Sequence, residues 1–384
     1  MTSPHIFIVA VENSADHLGA GLIKALRDKQ PKLRFSAIGG SAIEACDVPS
    51  LIDIDGLSIL GFAEALKAYP LVLRRVKETV KAILNSKADM AVLIDSWGFM
   101  IRVAQRLKRA GYKGQIVKYV APQVWAMREG RAKNLAKSVD HLLTIHSFDA
   151  PYFTKHGLAV THIGNPMFDT DFTSGDSKAL RRHLGLVDKQ NICAVLLGSR
   201  QSELSQLRGP ITDAVAILKN AYPNLVFVSP VSETLREKIM MNEPDKDMQN
   251  MTLLDESWKF DVFAAANVAI ACSGTVTTQL ASVGIPTIVA YKLKPLTWWA
   301  AKRLYKPDYI SLINISAGQA LMPEVLQDDV TGENIAKNVA AYLDDQDLAM
   351  SQSKALIAQA QIMRGESGSA SESAAAKIME LLSL

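Results

Sequence analysis

The chain is predicted to be an α/β protein of two Rossmann-like, doubly wound domains, and three observations carry that expectation. Short apolar runs of strand length alternate with longer amphipathic stretches from one end to the other, the pattern of parallel sheets covered by helices. The alternation breaks once, after Asn165-Pro166, in the polar, Gly- and Ser-containing stretch MFDTDFTSGDSK, and then resumes. At 384 residues the chain is too long for one ordinary domain and long enough for two, each with its own core.

In the first domain, residues 1–168, the runs IFIVAV, LRFSAIG, MAVLID, GQIVKYV and HLLTIH read as buried parallel strands. Helical patterns lie between them over His17 to Lys29, Ala63 to Leu84 and Phe99 to Ala110. The second domain, residues 178–333, repeats the scheme with ICAVLLGS, LVFVSPV, MTLLD, NVAIACSG and PTIVAY. Residues 334–384 read as helices, expected to pack back on the first domain. Two such domains facing a cleft form the arrangement of the glycosyltransferase-B (GT-B) fold.

Composition narrows the class. Hydrophobic residues are 48% and charged residues 21%, the balance of a folded protein rather than a disordered one. A formal net charge of +3 gives no licence for nucleic-acid binding, though local clusters of Lys and Arg can still meet phosphates. Cys46, Cys193 and Cys272 are odd in number and far apart, so neither a disulfide framework nor a metal spacing emerges and a reducing cytosol is expected. IFIVAV is too short for a secretory signal and follows no basic segment. No apolar stretch approaches the ~20 residues that span a bilayer, so any membrane contact is expected at the surface.

Candidate site residues cluster where strands end, which is where open parallel sheets bind ligands. The loop VENSADHLGAGL supplies Glu12, Ser14 and Asp16; Gly19 and Gly21 lack the third glycine of a dinucleotide fingerprint, and helix capping is the plain alternative for Ser14 and Asp16. Asp95 closes MAVLID before Ser96-Trp97-Gly98. A carboxylate there is costly to bury without partners, so it serves either as a base or as an N-cap. In YVAPQVWAMREGRAK, Arg128 and Arg131 open a helix, where cations oppose the macrodipole; an anionic ligand or a salt bridge explains them. In VLLGSRQSEL and IACSGTVTTQL a strand meets a turn and a helix start. Gly198, Ser199 and Arg200, then Ser273, Gly274 and Thr275, suit a diphosphate, and Gln279 lies one turn further on. Asn314, read as ending a strand in SLINISAG, and Glu324 and Gln327 in MPEVLQ offer polar groups for sugar hydroxyls, against capping or turn formation. The triplet Asp53-Ile54-Asp55 has the DxD form that holds a divalent cation in some glycosyltransferases, but it follows no clear nucleotide-binding strand.

Two amphiphilic stretches remain. Leu57, Ile59, Leu60 and Phe62 precede a helix with Leu71, Val72 and Leu73 beside Arg74 and Arg75. Trp298 and Trp299 sit among Lys294, Lys302, Arg303 and Lys306. Apolar side chains flanked by cations suit acyl tails and lipid phosphate; a buried core helix is the alternative for each.

The segment YKLKPLTWWAAKRLYKPDYISLINISAG (Tyr291 to Gly318), the opening Glu12-x-Ser14-x-Asp16 and the GSRxxE run at Gly198 together resemble the lipid-A-disaccharide synthase family, inverting glycosyltransferases of the GT-B fold that join two acylated glucosamines. The likeness extends from about Ile6 to about Gln327. It departs at Val11, Ala15 and Leu197, and also at Met127 (the family has Trp), Asn165 (often His) and Gln279 (a carboxylate). It implies transfer of 2,3-diacylglucosamine from its UDP derivative to the 6-hydroxyl of 2,3-diacylglucosamine 1-phosphate (lipid X), with release of UDP and without metal or other cofactor. It implies Asp95 as the base, oriented by Glu12 or Ser14, with Arg200 and Asn314 completing the catalytic set. Gly198, Ser199, Arg200, Ser273, Gly274, Thr275, Gln279 and Gln327 would meet the UDP-sugar. Leu60, Phe62, Arg128, Arg131, Trp298, Trp299, Lys302 and Arg303 would meet the acceptor or the cytoplasmic face of the inner membrane. The alternatives are a paralogue that binds a nucleotide sugar or lipid without turnover, and another UDP-sugar enzyme of the same fold, which would not explain the Trp- and Lys-bearing segment.

Overall fold

The computed structural model describes residues 3–55, 57, 62–187, 189–198, 201–241, 250–365 and 368–383, without the side chains at 62–68, 201–202, 234, 238, 240–241, 296 and 300–301. The chain divides into two compact units, Met1–Asp169 with Met363–Leu384, and Thr170–Ile362.

The first unit holds strands β1 (His5–Val9), β2 (Arg34–Ile38), β3 (Met90–Ile94), β4 (Gln115–Tyr119), β5 (His141–Thr144) and β6 (Ala159–His162). Its helices are α1 (Asn13–Lys29), α2 (Ser41–Glu44), α3 (Phe62–Ser86), α4 (Trp97–Arg109), α5 (Gly130–Ala136) and α6 (Ala150–Thr154). The sheet is parallel throughout, in the order β2-β1-β3-β4-β5-β6. Every residue of β1 and of β3 is buried, because helices cover both faces and leave no solvent side for polar alternation. One face packs Phe7, Val9 and Leu93 with Phe99 and Val103 of α4. The other packs Ile6, Ile8 and Ile94 with Leu22 and Leu26 of α1.

The second unit holds α7 (Ser177–Leu184), β7 (Ile192–Leu196), α8 (Gln201–Ala221), β8 (Val226–Val231), α9 (Glu233–Met241) and β9 (Met251–Asp255). It continues with α10 (Lys259–Ala265), β10 (Val268–Cys272), α11 (Thr275–Ser282), β11 (Thr287–Tyr291), α12 (Pro295–Leu304), α13 (Leu312–Ala317) and β12 (Glu324–Leu326). The order β12-β11-β10-β7-β8-β9 is the dinucleotide-fold order 3-2-1-4-5-6 counted from β7.

Three features differ from the sequence expectation. Strands β6 and β12 were not expected: the first is a partly exposed edge and the second has only three residues, so neither leaves an apolar run. The segment expected to end a strand at Asn314 is the helix α13, closed by Gly318 at φ 66; its apolar run is short enough to suit either state. The C-terminal helices also divide. Helix α14 (Gly332–Asp344) packs on α8 of the second unit, and α15 (Gln346–Arg364) carries the chain to the first, where α16 (Ala370–Leu381) packs on α1 through Ala374, Ala375 and Ile378.

Candidate active site

In the first unit the chain leaves β1 and β3 toward opposite sides of the sheet, which opens a crevice at their carboxyl ends. Glu12 follows β1 as the residue before α1. Asp95 and Ser96 follow β3 with φ of 50° and 38°, a left-handed pair of non-glycine residues that needs support from its surroundings. Three hydrogen bonds supply it. The Asp95 N–H donates to the Tyr119 carbonyl at 2.9 Å, Lys118 Nζ donates to the Asp95 carbonyl at 2.7 Å, and Ser96 Oγ donates to Glu12 Oε1 at 2.5 Å. Asp95 is partly exposed.

A cavity of about 280 Å³ in the second unit and one of about 270 Å³ in the first stand at these strand ends. The first-unit cavity is lined by Val11, Leu57, Val72 and Phe99 on its apolar part and by Glu12, Ser96 and Arg102 on its polar part. Val11, which stands where the resembled family has glycine, thus contributes wall rather than open space. Trp97 also lines it, with the Arg131 guanidinium 5.4 Å from its ring centroid. Arg128 is exposed, at φ 58°.

Two loop residues have other placements. Ser14 lies on the exposed side of α1, and the Glu12 carboxylate takes its hydrogen bond from Ser96 instead. Asp16, 2% exposed, accepts from the N–H groups of Gly40 and Ala42 at 2.7 and 2.8 Å; it caps α2, an ordinary structural role. Asn165 is likewise structural, its Oδ1 accepting from the Met167 N–H at 3.0 Å while its own N–H donates to the Met363 carbonyl at 3.1 Å.

The second-unit cavity lies beyond β7, β8 and β10, at the point where the strand order reverses. Gly198, Ser273, Gly274, Thr275 and Gln279 all line it, together with Ser232, Glu256 and Lys259. Gly198 has φ 85°, and a Cβ there would stand 2.7 Å from Glu203 Oε2, so the close turn requires glycine. The buried Gln279 Oε1 has no hydrogen-bond partner among the described residues. Burial pulls the Lys259 ammonium below its usual value, against the opposing effect of Glu256. Ser199, Arg200 and Leu60 lie outside the described residues, and Phe62 begins α3 with its side chain outside the description.

Asn314 is fully buried and does not open onto a ligand surface. Its amide donates to the Met322 carbonyl (2.8 Å) and to Glu324 Oε1 (2.9 Å), and its oxygen accepts from the Met322 N–H (2.9 Å). Glu324 in turn accepts from the N–H groups of Ile310 and Ser311 at 2.8 and 2.9 Å. The two residues brace α13 against β12. In the orientation that matches donors to acceptors, the Gln327 amide pairs with the Leu293 N–H and carbonyl at 3.0 and 3.2 Å. The DxD triplet is engaged too: Asp53 pairs with Arg75 at 3.2 Å and accepts from the Asp55 N–H at 2.9 Å.

Helix α12 is exposed rather than core. Trp299 and Leu304 are 59% and 58% exposed, Lys302 and Arg303 are exposed beside them, and the Arg303 guanidinium lies 3.8 Å from the Trp299 ring centroid. Trp298 is partly buried. No helix among the described residues is long and apolar enough to cross a membrane, and those residues hold no cluster of three metal-ligating side chains.

Two doubly wound parallel sheets, each with a ligand-sized cavity at its switch point, define a GT-B type protein. Solved structures agree on that fold. UDP-GlcNAc 2-epimerase from Neisseria meningitidis bound to UDP-GlcNAc superposes with a TM-score of 0.61 at 10% identity over 99% of each chain. The glycotransferase of kitacinnamycin gives 0.63 at 13% identity over 99% of this chain and 100% of that one. The family model described as lipid-A-disaccharide synthetase matches residues 6–379. Lipid-A-disaccharide synthase of Rhodospirillum centenum is 36% identical over 88% of this chain and 85% of its own, and that of Geobacter metallireducens 31% over 99% and 98%. The chain belongs to the lipid-A-disaccharide synthase family and is a glycosyltransferase.

Sequence reasoning missed Lys118, Arg102 and Lys259. Arg102 sits inside the amphipathic helix α4 and Lys259 opens the short helix α10, so the cavity each meets depends on the sheet order, and Lys118 is a charge hidden in the apolar run GQIVKYV.

Proposed function

We propose that this protein transfers 2,3-diacylglucosamine from UDP to the 6-hydroxyl of 2,3-diacylglucosamine 1-phosphate, forming a β(1→6) disaccharide 1-phosphate and UDP. The observation that carries the reading is the placement of Asp95 and the Ser96–Glu12 pair at the first-unit switch point, beside a cavity with an apolar wall and one guanidinium. That lining suits an acceptor that is part acyl chain and part phosphate.

Asp95 takes the proton of the attacking hydroxyl as its oxygen bonds to the anomeric carbon. The electron pair of the breaking glycosidic bond leaves on the β-phosphate oxygen of UDP. The second-unit cavity takes the donor, with the diphosphate at the turns holding Gly198 and Ser273-Gly274-Thr275. Gln279 Oε1, without a partner among the described residues, accepts from a ribose hydroxyl in place of the carboxylate its family carries. Arg200 is assigned to the departing UDP by the family resemblance. Charge on that group is then met by the protein, and the reaction is proposed to be independent of metal. Helix α12, with its exposed Trp, Lys and Arg side chains, is the proposed contact with the inner-membrane surface.

The test is UDP release by the purified protein given the UDP-sugar, with and without the acceptor and with and without EDTA, alongside Asp95→Ala. Acceptor-dependent, EDTA-resistant release that vanishes in the variant is expected. Donor binding without release would instead favour the non-catalytic paralogue.

A further inference from the structure

Lys118 sits where a sheet has no use for a charge. It is 2% exposed, and its register partners on the neighbouring strands are Leu93 of β3 and Leu142 of β5. Its strand neighbour Ile116 belongs to the apolar layer under α3 and α4. A leucine or methionine there would fill similar space without the cost of taking an ammonium out of water, a cost that buried ions recover only through close partners. The partners present are not carboxylates in direct contact. Nζ donates to the carbonyl of Asp95 at 2.7 Å and to that of Tyr119 at 2.9 Å, the same Tyr119 carbonyl that accepts from the Asp95 N–H. Both peptide faces of Asp95 are therefore tied to β4, one directly and one through Lys118. That double tie holds Asp95 and Ser96 in their left-handed conformations.

We propose that Lys118 is a positioning residue for glycosyl transfer: from beneath the sheet end, its buried ammonium fixes the Asp95–Ser96 turn and sets the field at the Asp95 and Glu12 carboxylates. The inference rests on the reading of Asp95 as the base. Glu12 and Asp95 are the charged groups that act on Lys118. Burial draws the Lys118 ammonium down to about 7, with Asp95 and then Glu12 opposing, so the charge is present on the acid side of that value, where the acid limb of kcat is read.

The experiment compares Lys118→Met, Lys118→Gln and Asp95→Asn in the full-length protein, reading kcat, KM for both substrates, the pH profile of kcat and the melting temperature. For Lys118→Met, kcat is expected to fall by about 10- to 100-fold with both KM values nearly unchanged, the size of effect that a small misplacement of a reacting group produces. The acid limb of kcat is expected to move up, because the turn then lacks the cation that favours the charged form of a nearby carboxylate. Lys118→Gln keeps an N–H for a carbonyl without the charge. It should therefore show the same movement of the acid limb with a smaller fall in kcat, and it carries the test if Lys118→Met does not fold.

Parent-like kcat, or a kcat loss that follows lost stability while the pH profile stays put, would overturn the proposal. Asp95→Asn separates the two levels. If it abolishes turnover while the Lys118 variants behave as parent, only the role of Lys118 fails. If Asp95→Asn itself turns over like the parent, the assignment of the base fails and Lys118 has nothing to position.

Discussion

Ser96 Oγ donates to Glu12 Oε1 across 2.5 Å, joining the turn after β3 to the start of α1 through the gap where the first sheet reverses direction. The bond links residues 84 positions apart. It exists because β1 and β3 are neighbours in the sheet although α1, β2, α2 and α3 separate them in the chain.

Removing the hydroxyl leaves the Glu12 carboxylate free to rotate. Ser96→Ala is expected to lower kcat by roughly tenfold, the equivalent of one charge-assisted hydrogen bond at about 1.5 kcal/mol. Ser96→Gly should lose the same activity yet melt higher than Ser96→Ala, since φ 38° suits glycine and strains alanine. Steady-state kinetics and thermal denaturation of the two variants check both points, and equal melting temperatures would argue against strain at this turn.

Asn314 and Glu324 form a brace rather than a ligand surface. Asn314→Ala strips the Met322 N–H and carbonyl of their buried partners, costing about 2–4 kcal/mol, or on the order of 5–10 °C in melting temperature for a unit of this size. Glu324→Ala should destabilise the same element and be non-additive with it, as residues of one network are. A double-mutant cycle by denaturant melts measures the coupling. Additive losses would show that the two act separately.

Much of the fold was legible because the parallel strands announce themselves. Runs such as Met90–Ile94 and Val268–Cys272 are buried at every position, and a continuous apolar stretch of five residues between amphipathic helices suits a central parallel strand. The three residues of β12 leave no such run, and α13 is as short and apolar as a strand. The candidate site was legible to the level of which loops line the two cavities. Asp95 stands out as a carboxylate closing an apolar strand, and the glycine turn at Gly198 as a strand-to-helix junction. Which hydroxyl meets Glu12 was not legible, since Ser14 is near in sequence and Ser96 near in space. Only the strand order decides between them. Lys118 was hidden for the same reason: its partners are carbonyls that no residue type advertises.

Asp149 makes stability depend on pH. It is 1% exposed, and burial pushes its carboxyl up to about 7. The folded value lies above the unfolded one, so its contribution is fully present below about pH 4 and is lost as the pH rises toward 7. Asp149→Asn removes that ionisation. The variant should gain on the parent across this window by a few kcal/mol, at about 1.4 kcal/mol per pH unit, with a flat difference above it. His146, which burial draws down to about 4, titrates in both proteins and cancels. Denaturant melts from pH 4 to 8 give the curve, and a constant offset would mean that Asp149 ionises in the fold as it does in water.

Helix α12 carries the membrane prediction. Its exposed Trp299 and Leu304 can enter an interface while Lys302 and Arg303 meet lipid phosphate, and the Arg303 guanidinium stacked on Trp299 would bring charge and ring to the surface together. Each basic side chain near an anionic surface contributes about 1 kcal/mol. Reversing both in Lys302→Glu/Arg303→Glu should therefore weaken binding to phosphatidylglycerol-containing vesicles by at least about tenfold, and added salt should erase most of the difference. Turnover of dispersed short-chain substrates should survive, because the substitutions lie outside both cavities. Vesicle sedimentation at low and high salt reads the first two effects. Unchanged sedimentation would remove α12 from the membrane surface, whereas lost turnover on dispersed substrates would place it in substrate binding instead.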